Sequence, residues 1–282
     1  MFKILIIANP VSGGYNENKL KTVTDILKQK CDKVDIVLTE YKGHAEIISK
    51  NAEYELIIAA GGDGLINEAA RGICGSSKLF AALPFGTVNV FCREYGIGLN
   101  PVKAAKRLNL SEAIGIPIGY IDEHPFLLMA GLGFDAATVE KVEKKERRTF
   151  KTFSHILNGI SALIKEKYQP FTICYDGKRK TAYHAVFAVT SSYAGSFKLG
   201  NIEKGKINAF FIDNNGRYGL FKAFISLFMG FGFKGKRLYS DYIKIEGASS
   251  CQLDGDYTRL SNTSSYIKIK RNAINLIICG KK

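Results

Sequence analysis

Residues 1 to about 118 alternate between short apolar runs and segments whose apolar residues recur every three to four positions. Short apolar runs are typical of buried strands, and the longer period is typical of amphipathic helices. The predicted strands are 3–8, 34–38, 55–60 and 79–83, and the predicted helices are 18–30, 45–51, 65–72, 88–95 and 102–108. This alternation predicts an α/β domain with a parallel sheet and helices on both faces.

The pattern changes after Gly119, where strand-like runs dominate at 125–129, 171–175, 185–190, 207–212, 242–246 and 266–270. A charged helical stretch interrupts them at 136–167. Asp176 and Gly177 lie between two strand candidates and predict a hairpin turn. We therefore predict a mainly antiparallel β domain at 119–282, which follows the α/β domain at 1–118.

Three predicted strands of the first domain run into small, polar turns that contain glycine. These turns are Asn-Pro-Val-Ser-Gly-Gly at 9–14, Gly-Gly-Asp-Gly-Leu-Ile-Asn at 61–67 and Leu-Pro-Phe-Gly-Thr-Val-Asn at 83–89. Strand-to-helix loops often carry Gly and Asn for backbone reasons alone. Three of them at the carboxyl ends of one sheet favour a shared ligand site, because glycines and a helix N-terminus suit phosphate groups. Asp63 would otherwise repel a phosphate, so it is best explained by a position beside Mg²⁺ or in a polar network around the turn.

Composition and charge limit the classes of binding partner that the sequence supports. The chain is 46% hydrophobic and carries a formal charge of +14, which attracts polyanions. No motif typical of nucleic-acid binding is present, so we predict no nucleic-acid partner. The basic runs accompany a segment at 219–233 that is rich in phenylalanine, which favours an anionic membrane surface.

Neither a signal peptide nor an apolar run long enough to span a bilayer is found. The six cysteines and four histidines are dispersed and form neither a zinc motif nor a catalytic triad. We therefore expect a cytoplasmic protein that associates peripherally with the inner face of the membrane.

The three turns resemble the catalytic domain of diacylglycerol kinases, in the bacterial soluble lipid kinase branch that is related to sphingosine kinases. The resemblance continues through Gly-Thr-Val-Asn-Val-Phe-Cys-Arg-Glu-Tyr-Gly-Ile at 86–97, Leu-Met-Ala-Gly-Leu-Gly-Phe-Asp-Ala at 128–136, Ser-Tyr-Ala-Gly-Ser-Phe at 192–197 and Leu-Asp-Gly-Asp at 253–256. It implies a β-sandwich for the second domain, an active cleft between the domains, and ATP and Mg²⁺ as cofactors. The ATP site implied by the resemblance consists of Asn9, Pro10, Ser12, Gly13, Thr39, Gly61, Gly62, Asp63, Gly64, Asn67, Glu68 and Thr87.

The reaction that the resemblance implies is transfer of the γ-phosphoryl group of ATP to a lipid hydroxyl. Asp63 is predicted to hold Mg²⁺ together with the ATP phosphates, and Asp256 to accept the proton of the hydroxyl. The family usually places Glu at the position of Asp256, and many members have Asp at the position of Val90. Lys204 stands where several members have an aspartate that ligates a structural Mg²⁺. Because an ammonium group cannot ligate a cation, we predict that this second metal site is absent.

Two alternatives stay open at this stage. An NAD kinase-like phosphotransferase shares the Gly-Gly-Asp-Gly turn, although it should lack the blocks at 86–89 and 253–256. A lipid- or nucleotide-binding protein with weakened catalysis is the other, suggested by Val90, Lys204 and Asp256. The lipid acceptor is not specified by the sequence, and the oligomeric state is open, since an exposed edge strand could pair two subunits as a homodimer.

Overall fold

The computed structural model describes residues 2–145, 168–193, 197–214 and 217–280. The chain divides into two units between Ile118 and Gly119, and the segment that begins at Lys270 belongs with the first unit. The predicted second domain at 119–282 therefore extends too far, because the end of the last strand pairs in the first unit. There, Asn275 and Leu276 are the parallel partners of Leu79 and Phe80.

The first unit is an α/β domain, as predicted. Its elements are β1 (Lys3–Ala8), α1 (Glu17–Lys28), β2 (Lys33–Leu38), α2 (His44–Asn51), β3 (Leu56–Gly61), α3 (Asp63–Ile73), β4 (Leu79–Pro84), α4 (Val90–Glu94), α5 (Pro101–Arg107) and the first part of β5 (Leu108–Ile121). The strands pair in the order β2-β1-β3-β4, all parallel, and the end of β18 (Ser264–Cys279) adds a fifth strand beside β4.

The burial of this sheet explains its sequence. Strand β3 is buried at every residue, and β1 and β4 are buried at all but their first. A strand covered on both faces has no polar side, which is why these segments read as continuous apolar runs. Because the connections β1–β2 and β2–β3 run in opposite directions and both are expected to be right-handed, α1 and α2 lie on opposite faces. Helix α1 packs with α5, and α2 packs with α3.

The second unit is built mainly from antiparallel strands. They are β6 (His124–Phe126), β7 (Met129–Leu132), β8 (Phe171–Tyr175), β9 (Lys178–Ala182), β10 (His184–Ala188), β11 (Ser192–Tyr193), β12 (Phe197–Lys198), β13 (Ile207–Ile212), β14 (Lys236–Ser240), β15 (Tyr242–Glu246), β16 (Ser250–Leu253), β17 (Asp256–Arg259) and the beginning of β18. Two helices accompany them, α6 (Phe134–Lys145) and α7 (Arg217–Phe228). The predicted helical stretch at 136–167 agrees with α6, and its part from 146 to 167 lies outside the described residues.

One sheet of this unit has the order β14-β13-β10-β7-β16-β17, and the other pairs β18 with β15, β8 and β9. Their facing sides share one apolar core, to which Phe187 and Phe211 contribute from the first sheet and Ile173 and Ile243 from the second. The unit is therefore a β-sandwich, as predicted. The opposite face of the six-stranded sheet is covered by α6 and α7, so β10 and β13 are buried on both sides and are apolar except at His184 and Asn208.

The predicted strand at 125–129 is wrong, because the chain leaves the extended pairing between β6 and β7. The backbone N–H groups of Leu127, Leu128 and Met129 donate to the carboxylate of Asp254 at 2.6, 2.9 and 2.9 Å. Three successive amides that turn toward one anion cannot also serve a strand ladder. The hairpin predicted at Asp176 and Gly177 is confirmed, with positive φ at both residues between β8 and β9.

Within the described residues, no helix has both the length and the apolar character needed to cross a bilayer.

Candidate functional site

The three glycine-containing turns of the first unit meet at the carboxyl ends of β1, β3 and β4. The N–H of Gly14, in the first turn, donates to the carbonyl of Phe85, in the third, at 3.0 Å. The N–H of Phe85 donates to the carbonyl of Gly61, in the second turn, at 3.0 Å. The N–H of Asn9 also donates to Ala60 at 3.4 Å. The predicted convergence of the turns is therefore a property of the backbone.

Glycine is required in these turns because their backbones approach one another closely, and not because the residues adopt a left-handed conformation. A Cβ built on Gly86 would lie 2.4 Å from the Cα of Gly62, and one on Gly14 would lie 2.7 Å from the carbonyl oxygen of Phe85. A Cβ on Gly13 would come within 2.7 Å of Oγ1 of Thr87. Since none of these glycines has a positive φ, their function is to let neighbouring turns touch.

Asp63 joins the second turn to helix α4, which follows the third turn. Its Oδ1 accepts a hydrogen bond of 3.0 Å from the N–H of Phe91, in the first turn of α4. Within the described residues, Oδ2 of Asp63 accepts no hydrogen bond, and the residue is half-buried. Asp63 therefore combines a structural contact with an oxygen that a cation could use. Val90, which begins α4 where the family often has Asp, contributes no carboxylate.

Asn89 organises the third turn, and sequence reasoning did not assign it this function. It has φ 54° and is buried. Its Oδ1 accepts from the N–H of Gly86 at 2.9 Å, and its Nδ2 donates to the carbonyl of Gly86 at 2.8 Å. The signal that could have identified it is the Gly-x-x-Asn spacing, since asparagine closes short turns and tolerates positive φ.

Helix α3 begins at Asp63 and presents a bare N-terminus. The cap residue, Gly62, has no side chain to bond the first amides, and Gly64 in the first turn is exposed. An uncapped helix N-terminus leaves N–H groups and partial positive charge for an anion. The arrangement of bare amides next to a carboxylate suits a phosphate group that carries a cation.

The remaining predicted nucleotide residues differ in exposure. Asn9 and Ser12 are half-buried and Pro10 is exposed, while the N–H of Thr39 donates to the carbonyl of Ala8 at 2.9 Å and thereby sits at the carboxyl end of β1. Gly13 and Thr87 are exposed and adjacent. Asn67 and Glu68 are buried within α3, so a contact from either side chain to a ligand is less direct than the sequence suggested.

In the second unit, Asp256 is the first residue of β17 and follows a tight hairpin. Asp254 and Gly255 have φ 50° and 98°, and Leu253 is the register partner of Asp256. Two positive φ values are typical of a two-residue type I′ turn. The Asp254 carboxylate anchors this turn through Leu127, Leu128 and Met129, and Gly255 donates to Oε1 of Gln252 at 2.8 Å. These contacts therefore hold the backbone of the turn just before Asp256, and Asp256 itself is half-buried.

A buried carboxyl group lies behind this hairpin. The hydroxyl of Tyr193 donates to Oδ1 of Asp135 at 2.9 Å, while Oδ2 accepts no hydrogen bond within the described residues. Burial raises the pKa of Asp135 to about 6, and the bond from Tyr193 and the nearby amide of Gln252 oppose that rise only in part. A Cβ on Gly131 would lie 2.5 Å from Asp135 and 2.8 Å from Nε2 of Gln252, so both side chains pack over this glycine.

His184 is a second buried titratable group. Its Nδ1 accepts from the N–H of Phe134 at 3.0 Å, and Tyr168 packs edge-on against its ring. Burial lowers the pKa of His184 to about 4. The ring is therefore neutral near pH 7 and holds the start of α6.

The metal chemistry of the site depends on one carboxylate. Within the described ranges, no group of three or more His, Cys, Asp or Glu side chains is arranged to hold a metal ion. Mg²⁺ in phosphoryl-transfer sites is commonly bound through one or two carboxylates together with substrate phosphates, so Asp63 fits that mode. Lys204 is exposed in a turn that Asn208 ties to Glu203, with bonds of 2.7 and 2.9 Å. The absence of the second metal site stays a prediction.

The chain is similar to known proteins in both sequence and fold. Residues 3–121 match the family described as "Diacylglycerol kinase catalytic domain". A diacylglycerol kinase of Bacillus subtilis is 32% identical over 208 residues, which cover 71% of this chain and 69% of that protein. One from Staphylococcus carnosus is 28% identical over 202 residues, which cover 69% of this chain and 66% of that protein. The crystal structure of a diacylglycerol kinase from Bacillus anthracis matches with a TM-score of 0.75 at 20% identity, covering 98% of this chain and 96% of that one.

Proposed function

Since the chain belongs to the diacylglycerol kinase catalytic domain family, a family of lipid kinases, we propose that it transfers the γ-phosphoryl group of ATP to the hydroxyl of diacylglycerol or a related lipid alcohol. The observation that carries the proposal is the contact of three turns around the N-terminus of α3. The bond from Gly14 to Phe85 and the approach of Gly86 to Gly62 support it most directly.

The residues of the first unit bind and orient the nucleotide in this proposal. The bare amides at the start of α3 and the glycines of the first and third turns approach the phosphates, where a side chain would obstruct them. Asp63 would hold Mg²⁺ with its second carboxylate oxygen, since Oδ1 already accepts the bond from Phe91. The bound Mg²⁺ supplies charge neutralisation on the transferred group. Because Val90 adds no carboxylate, Asp63 would hold Mg²⁺ together with the ATP phosphates rather than with a second side chain at position 90.

Asp256 is the proposed general base. A carboxylate within hydrogen-bond reach of the acceptor hydroxyl can take its proton as the phosphoryl group is transferred. The hairpin holds the backbone of Asp256 through the contacts of Asp254 and Gln252. Asp is one methylene shorter than the glutamate usual in the family, so the acceptor hydroxyl has to approach more closely or act through a water molecule.

An acceptor panel tests the proposal. The protein is incubated with ATP labelled at the γ-phosphate, Mg²⁺ and one acceptor at a time: diacylglycerol, monoacylglycerol, a sphingoid base, phosphatidylglycerol, undecaprenol or NAD. The expected result is label in a lipid, separated by chromatography. Label in NAD instead would support the NAD kinase-like alternative and contradict the proposal. ATP binding without transfer to any acceptor would support the binding protein with weakened catalysis.

A further inference from the structure

Helix α7 is apolar on two opposite sides. Leu220, Ala223 and Leu227 are buried against the six-stranded sheet. On the other side, Phe221 is 50% exposed and Ile225 is 42% exposed. Surface helices of soluble proteins usually carry polar residues on the side away from the core, so an apolar outer face needs a partner.

The turn after α7 extends this outer face. Met229 follows Ile225 by one helical turn, its N–H bonds to the Ile225 carbonyl at 2.9 Å, and its side chain is 60% exposed. The helix ends in a Schellman arrangement, in which Gly230 has φ 79° and the N–H of Phe231 bonds to Ser226 at 2.9 Å. In that motif the residue after the glycine commonly packs back on the helix, yet Phe231 is 72% exposed.

The charge around this face is mainly basic. The sequence from 217 to 240 contains no Asp or Glu and includes the basic residues Arg217, Lys222, Lys234, Lys236 and Arg237. Three of these lysines, Lys222, Lys234 and Lys236, line a hollow of about 580 Å³ beside α7. Asp213 also lines the hollow and forms an ion pair with Lys236, which leaves the charges of Lys222 and Lys234 for an anion.

We propose that this face docks on an anionic membrane, with Phe221, Ile225, Met229 and Phe231 inserted among the lipids and the lysine-lined hollow receiving an anionic lipid headgroup. A helix with an apolar outer face and basic neighbours is typical of segments that lie in the membrane interface. The absence of acidic residues from 217 to 240 favours anionic lipid over an ordinary protein partner. The inference deepens the proposed function, because a lipid acceptor has to be reached at a membrane.

Sedimentation with vesicles tests the docking face without any kinase readout. Wild-type protein should bind vesicles containing about 30% phosphatidylglycerol more tightly than pure phosphatidylcholine vesicles. The ratio of these two affinities should be about fivefold smaller in Lys222→Gln than in the wild type. Ile225→Glu and Phe231→Glu should each weaken binding at least about tenfold, since each replaces an inserted apolar side chain with a charge. Ile47→Glu is the matched control, because Ile47 is a comparably exposed isoleucine (50%) on helix α2. It should bind as the wild type does.

Wild-type binding by Ile225→Glu and Phe231→Glu would overturn the proposal. So would ultracentrifugation showing that Ile225→Glu converts a dimer into a monomer while vesicle binding is unchanged, since the face would then join two copies of this chain. If Ile225→Glu unfolds, Phe231→Glu decides, because Phe231 lies beyond the helix and outside the buried cluster.

Transfer to a short-chain, water-soluble diacylglycerol separates this inference from the proposed function. That transfer should be equal in wild type, Ile225→Glu and Ile47→Glu. Vesicle binding without any transfer by the wild type would remove the kinase proposal and leave the docking face standing. If the wild type transfers the label but Ile225→Glu and Phe231→Glu bind vesicles as the wild type does, the docking face is removed and the kinase proposal is kept.

Discussion

The carboxylate of Asp63 accepts a hydrogen bond of 3.0 Å from the backbone N–H of Phe91, which ties the Gly-Gly-Asp-Gly turn to the start of α4. The residue proposed to hold the metal is thus also a structural link between the second turn and the helix that follows the third. Substitutions at Asp63 therefore have to separate loss of charge from loss of this link.

Asp63→Asn should keep the fold and lose the activity. The amide oxygen of Asn can still accept from Phe91, but the neutral side chain is a poor ligand for Mg²⁺. Kinase turnover should fall at least about 100-fold, because several kcal/mol of charge stabilisation depend on the metal. The temperature of thermal unfolding of Asp63→Asn should stay near that of the wild type, whereas Asp63→Ala should unfold at a lower temperature. Turnover by Asp63→Asn equal to the wild type would remove Asp63 from the metal site.

Gly86→Ala should separate the second and third turns. The new Cβ would lie 2.4 Å from the Cα of Gly62, and backbone atoms cannot yield as a flexible side chain does. We expect a loss of about 1–3 kcal/mol in the free energy of unfolding and weaker ATP binding, measured by denaturant titration and calorimetry. Gly64→Ala is the control for stability, since a Cβ there meets nothing within 4 Å. Equal stability of the two variants would contradict the close approach.

Asp254→Ala should destabilise the second unit by about 2–4 kcal/mol, because three amides lose a charged acceptor. The positive φ of 50° at this position adds strain for alanine. Asp254→Asn tolerates that conformation and keeps one acceptor oxygen, so its loss should be smaller. Urea unfolding measures the order, and an Asn variant less stable than the Ala variant would contradict the anchoring function of the carboxylate.

Asp135 should make stability depend on pH. Burial raises its pKa to about 6, above its value of about 3.9 in an unfolded chain. The folded state therefore holds the proton longer, and this contribution is full below about pH 4 and is lost as the pH rises to about 6. Relative to wild type, Asp135→Asn should gain about 3 kcal/mol in unfolding free energy between about pH 4 and pH 7. A constant difference across that range would contradict the raised pKa.

His184 should change the free energy of unfolding with pH in the opposite direction to Asp135, over about the same pH range. Burial lowers its pKa to about 4, so its contribution is full above about pH 6.5 and is lost as the pH falls toward 4. His184→Gln, which keeps an acceptor for the N–H of Phe134, should be less sensitive to acid than the wild type. Measuring Asp135→Asn and His184→Gln together separates two slopes of opposite sign, and an acid sensitivity of His184→Gln equal to that of the wild type would contradict the lowered pKa.

The sequence was most informative where the local pattern and the tertiary environment agree. Strand β1 was predicted with its observed bounds, because a buried parallel strand is apolar at every position. The convergence of the three turns was predicted correctly, since parallel strands bring their carboxyl ends to one edge of a sheet.

The failures depend on distant partners. The strand predicted at 125–129 breaks because its amides bind Asp254, more than 120 residues later. The end of β18 belongs to the first unit because it pairs with β4, which no local period reveals. The burial of Asn67 and Glu68 in α3 could not be derived from the motif, which places them next to a ligand turn, and their contact with a nucleotide stays a prediction.

The most direct test of the central claim follows the position of the label in ATP. Wild type, Asp63→Asn and Asp256→Asn are incubated with diacylglycerol vesicles and Mg²⁺, using ATP labelled at the γ-phosphate in one series and at the α-phosphate in another. Only the γ-label should enter the lipid, the wild type should transfer it, and both variants should be severely impaired. Absence of γ-label in lipid with the wild type, or transfer by Asp63→Asn at the wild-type rate, would contradict the central claim.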